Sequence, residues 1–95
     1  MPEYIYLTHP FRDGFFEQPT VEEIHIMERR IKYLTGAAEK GLVIFAGSCL
    51  DNTFDMVLLK NMDESAAQTF MLADPSVKSN VMMAELHPFN LTSRP

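Results

Sequence analysis

Short apolar runs and longer runs with helical spacing follow one another in the order β-α-β-β-α-β along 95 residues. Tyr4-Ile5-Tyr6-Leu7, aromatic and β-branched, predicts a first strand. A loop runs from His9-Pro10 to Gln18-Pro19. Its Phe11, Phe15 and Phe16 make it apolar enough to fold back over the core or a cavity mouth. Thr20-Val21-Glu22-Glu23 has the form of a capping box. The helix after it carries Ile24, Met27, Ile31, Leu34 and Ala38 at spacings of three and four, a single apolar stripe. Lys40-Gly41 is its stop signal. Leu42 to Ala46 and Phe54 to Leu59 predict two strands joined by a hairpin-type connection. Asp63 is placed to cap a second helix whose Ala66, Ala67, Phe70 and Met71 face the core. Pro75 disfavours helix at Asp74, which can cap a short turn with Pro75 as its first residue. Val81 to Leu86 predicts the last strand, and 90–95 reads as a mobile tail.

This order lets one antiparallel sheet carry both helices on a single side. Phe54, Met56 and Leu58 share one strand face, and Val57 and Leu59 share the other. Leu42, Ile44 and Ala46 oppose Val43 and Phe45, while Met82, Ala84 and Leu86 oppose Val81 and Met83. Strands that are apolar on both sides need cover on both. Two helices cover one face, and the sheet of a second copy is the expected cover for the other. The expectation is one α+β domain over 1–95 that forms a homodimer.

Composition narrows the function classes. A net charge of −5 argues against a nucleic-acid surface, which needs a basic patch. Cys49 is the only cysteine, so no internal disulfide forms, and no Cys/His cluster has zinc-like spacing. No secretion signal or membrane-length apolar run is visible, so a soluble cytoplasmic protein is expected, with no cofactor, metal or membrane partner. Seven Met residues suit an adaptable interior or interface.

Several short motifs share their order with a known family. They are Tyr33-Leu34, Lys40-Gly41, Ala46-Gly47, Asp74-Pro75 and Glu85-Leu86-His87-Pro88-Phe89. Over 4–89 the chain resembles the YciI-related (YCII) family. The resemblance implies a ferredoxin-like fold pairing into a dimeric α+β barrel. It also implies a small cofactor-independent lyase or isomerase; one branch removes chloride from a chlorinated hydroxyquinol. A His–Asp pair is proposed as that family's active site. Asp74 matches the Asp before Pro, but Arg30 stands where the family has His, three residues before Tyr33. A guanidinium is always protonated and is no general base at neutral pH.

The candidate chemistry is spread along the chain. Asp74 can act as a base or orient a partner, or simply cap the turn after it. Arg30 can hold a carboxylate, a phenolate or Asp74 itself, or form a solvated pair with a nearby Glu. His87, beside Glu85 on one strand face, is the remaining acid–base candidate. His9 can line the same cavity, and Arg12, in the aromatic loop, can meet an anionic substrate. Ser48, where family members often have Pro, is a substrate contact rather than a nucleophile, since no base neighbours it in sequence. His25 reads as surface, Asp51 and Asn52 as turn formers, and Cys49 as a small buried residue. With the resemblance, these residues imply a cofactor-free enzyme of the YciI-like type acting on a small anionic or phenolic compound. The rival is a dimer that binds a small ligand without turning it over, its helix histidine replaced by an anion anchor.

Overall fold

The computed structural model describes residues 2–93. Seven elements follow in order: β1 (Glu3–Pro10), α1 (Val21–Glu39), β2 (Val43–Ser48), β3 (Asp55–Leu59), α2 (Glu64–Ala73), α3 (Pro75–Lys78) and β4 (Met82–Phe89). The four strands make one antiparallel sheet in the order β2-β3-β1-β4. No described helix is long and apolar enough to cross a membrane. Residues 90–93 hold no helix or strand, and 94–95 lie outside the described residues.

Local signals set the helix ends. The Thr20 hydroxyl accepts from the Glu23 N–H, and the Glu23 carboxylate accepts from the Thr20 N–H. Asp63 caps α2 by accepting from the Ala66 N–H. Gly41 leaves α1 with φ +75°, a conformation that costs glycine little. Pro75 holds Asp74 extended at φ −57°, ψ 125°, which ends α2 and opens α3.

Both long helices pack on one side of the sheet. Ala37 of α1 and Ala67 and Met71 of α2 share a buried cluster with Tyr6, Val43, Val57 and Leu59. A second cluster joins Phe15 of the 11–19 loop to Ile26, Val81 and Met82, so that loop does fold back onto the core. Ala66 is exposed rather than core-facing.

Two details of the strand and helix faces differ from the pattern. In β2 a bulge falls between Val43, paired with Leu59, and Phe45, paired with Leu58. The extra residue breaks the alternation. Val43 and Ala46 therefore share the helix side, while Phe45 turns to the other. In α1 the buried residues are Ile26, Arg30 and Ala37. The apolar stripe through Ile24, Met27, Ile31, Leu34 and Ala38 is displaced from that inner line by about 100°, one residue of helix. Ile24 and Ile31 are exposed. An arginine occupies a core position, and a reading by hydrophobicity passes over it.

On the face away from the helices, Ile5 and Leu58 are buried at the centre, while Phe45, Met83 and Phe89 stand exposed around them. The surplus apolar surface is thus a partial rim, not the whole face.

Candidate functional site

Three distant segments meet at a buried carboxylate. Asp74, fully buried, caps α3: its Oδ1 accepts from the Ser76 N–H at 2.9 Å and the Ser76 hydroxyl at 2.7 Å. Its Oδ2 accepts from the Tyr6 hydroxyl of β1 at 2.8 Å. Arg30, 3% exposed, brings its Nε to 3.2 Å from the same Oδ2. That N–H is not directed at the oxygen, so the contact is ionic rather than a hydrogen bond. Arg30 Nη1 donates to Asp55 Oδ2 at 2.8 Å, at the start of β3.

The chemistry of this cluster follows from its occupancy. A carboxylate holding three hydrogen bonds and a guanidinium has little capacity left to take a proton from a ligand. Burial first, then the charge of Asp74 and the bond to it, raises the pKa of the Tyr6 hydroxyl far above its ordinary value. Tyr6 therefore stays a neutral donor. Tyr33 donates to the Phe70 carbonyl at 2.7 Å, and burial, followed by the charge of Asp74, pushes its pKa up to about 12. Its ring packs on Phe70 with centroids 4.7 Å apart, which ties α1 to α2 beside the cluster.

A cleft of about 310 Å3 opens beside Arg30, between α1 and the β2–β3 hairpin. Met27, Ile31 and Leu34 supply the helix wall. Ala46 and Val57 supply the strand wall, and Arg30, Asp55, Ser48 and Thr35 the polar groups. Its volume lies at the lower end of the range of small-molecule sites, which is about 300–1,000 Å3. Met27 and Ile31 also line a second hollow of about 350 Å3, closed on its far side by Phe15, Phe16 and Pro19. The displaced apolar stripe of α1 is therefore the wall of two adjoining hollows.

The sequence candidates divide between three places. Arg30, Asp74 and Ser48 lie on the helix side of the sheet; Arg30 and Ser48 line the cleft, and Asp74 sits behind Arg30. His87 lies on the opposite face, its Nε2 3.4 Å from Glu85, with both side chains 52% exposed. Within one chain, then, His87 and Asp74 do not share a site. His9 shares the His87 face, across from Met83. Arg12 is held by Glu23 in a two-pronged pair (2.8 and 3.0 Å) and donates to the Gln18 carbonyl at 2.8 Å. It straps the aromatic loop to α1 rather than reaching the cleft. Among the described residues, no group of three or more His, Cys, Asp or Glu could hold a metal ion.

Two members of the cluster, Asp55 and Tyr6, carry little or no sequence signal. Asp55 opens a strand and pairs with Thr8 and Ser48, contacts that only the sheet register creates. Tyr6 sits in an ordinary aromatic strand; its polar tip facing a core was the one available hint. No family model matches this chain, and no curated protein matches it.

Proposed function

We propose that this chain is a ferredoxin-like domain of the YciI-like kind that pairs through the helix-free sheet face into a dimeric α+β barrel and binds a small organic molecule in the α1–β2 cleft. The strand order and the two helices on one side support the fold reading. The exposed rim of Phe45, Met83 and Phe89 supports the pairing.

One observation carries the binding reading. Arg30, in the position where the resemblance calls for an imidazole base, is buried between two carboxylates at the floor of an apolar cleft. Such a floor can orient a ligand, and it carries a guanidinium where the resemblance has an imidazole. Ligand-observed NMR with small aromatic and aliphatic compounds tests this. The parent binds members of the set, and Ala46→Phe, which fills the strand wall, loses them while keeping its melting temperature. Binding that survives Ala46→Phe, or no binding by the parent, overturns the reading.

A second reading, a cofactor-free lyase or isomerase, is favoured by the contact between Arg30 and Asp74. These are the two positions that the resemblance pairs, and they stand 3.2 Å apart. Turnover of a phenol or lactone that is lost in Asp55→Asn would favour it over simple binding.

A further inference from the structure

We infer that the ligand of the cleft carries a neutral head that donates and accepts hydrogen bonds at once, of the carboxamide type, on an apolar body. The inference rests on the ligand-cleft reading and deepens it.

The argument starts from charge. The cluster holds one guanidinium, Arg30, and two carboxylates, Asp55 and Asp74, at 2.8 and 3.2 Å from it. Its sum is −1. The cation is already more than matched, so a ligand carboxylate or phenolate adds a further negative charge beside a cluster that is already net negative. An ammonium head meets the opposite difficulty. It suits Asp55 but stands against the guanidinium that lines the same floor. This reverses the anion-anchor role that Arg30 suggests in the sequence.

The hydrogen-bond pattern points the same way. Arg–carboxylate pairs are frequently forked, with two parallel N–H···O bonds. Here a single bond joins Nη1 to Asp55 Oδ2. Among the described residues, Arg30 Nη2 and Asp55 Oδ1 make no hydrogen bond, and both residues line the cleft. The Arg30 side chain is 4% exposed and that of Asp55 19%, and neither free atom is among the fully buried unpaired ones, so a ligand in the cleft can reach both. The floor thus sets a donor group beside an acceptor oxygen, and the hydroxyls of Ser48 and Thr35, which donate or accept, line the same cleft. A carboxamide answers both with adjacent atoms, its N–H to Asp55 and its C=O to Arg30, and changes no charge. The walls of Met27, Ile31, Leu34, Ala46 and Val57 take the apolar body.

Three probes with one body and different heads test the assignment: phenylacetamide, phenylacetate and 2-phenylethylammonium. Affinities come from calorimetry on the full chain, and the site from methyl NMR of Ile31, Leu34 and Val57. Phenylacetamide is expected to bind at least about tenfold more tightly than either charged probe and to shift those methyls. Asp55→Asn removes one negative charge and is expected to shrink the amide-to-carboxylate ratio. A charged probe that equals or beats the amide while shifting the same methyls overturns the head-group assignment and leaves the cleft reading standing. An unchanged ratio in a folded Asp55→Asn also overturns it. If no probe shifts the methyls, the inference and the cleft reading fall together.

Discussion

On the helix side of the sheet, Tyr6 and Thr8 turn polar tips into a dry interior, and a carboxylate and a guanidinium are buried beside them. On the other side, Ile5 and Leu58 are buried with no polar atom in either side chain, and the charged groups, Glu85 and His87, stay half exposed. Two neighbouring residues of β1 therefore serve opposite regimes. The helix side is tied together by hydrogen bonds and ion pairs centred on Asp74, although the Thr8 hydroxyl makes no hydrogen bond among the described residues. The other side is specified by shape and area, which a second copy of the same surface can complete. The first arrangement fixes how α1, β1, β3 and α3 meet. The second leaves a surface free to associate.

Removing Asp74 breaks this contrast most severely. Asp74→Ala takes the acceptor from Tyr6 and Ser76 and leaves Arg30 buried with Asp55 alone. Loss of one partner from a buried pair costs about 3–5 kcal/mol, read as a fall in the urea midpoint. Glu85→Ala, the matching deletion on the other face, is expected to change stability by no more than about 0.5 kcal/mol. Comparable losses in the two variants would erase the distinction between the faces.

The next effect sharpens the other side. Phe45 is 47% exposed there, brought to that face by the bulge. If the chain pairs through this face as proposed, Phe45→Glu is expected to raise the dissociation constant of that dimer by about a hundredfold, or about 2.7 kcal/mol, in sedimentation equilibrium. Ile24→Glu, on the exposed stripe of α1, is expected to leave it unchanged. If Ile24→Glu dissociates the protein and Phe45→Glu does not, the copies meet through α1 instead.

What the sequence revealed follows the range of the interactions. The caps at Thr20, Asp63 and Asp74 close within three residues, so their residue types announce them. The element order is equally local, because each run carries its own period. Arg30 meets Asp55 across 25 residues and Tyr6 meets Asp74 across 68, and no local window holds both partners. The bulge in β2 decides which way Phe45 points, and only pairing with β3 reveals it. The roll of α1 was hidden for the same reason. Ile24, Met27, Ile31 and Leu34 have the spacing of a core stripe, but a core stripe and a cleft wall look alike until a buried charge takes the inner line. Asp74 and Arg30 were legible as candidates, whereas Asp55, which turns them into a cleft floor, was not.

The smallest effect concerns the strap over the aromatic loop, which has charges like the cluster's but in water. Hydrogen bonds from Arg12, then the backbone bond from Thr20, hold the Glu23 carboxyl at about 2, below its ordinary 4.5. Because the folded value is depressed, the stability contributed by this pair is fully present above about pH 4.5 and is lost as pH falls toward 2. The stability gap between parent and Glu23→Gln, from urea titrations at stepped pH, is therefore expected to close through that window. The Arg12 side chain of the pair is 43% exposed, so the gap should also shrink in about 1 M salt, where screening acts within roughly 3 Å. The loss in Asp74→Ala, set in a buried cluster, should barely respond to salt. A gap for Glu23→Gln that stays constant from about pH 4.5 to 2 would show that the loop is held by Phe15 packing against Ile26 and Met82, and that the strap adds nothing to it.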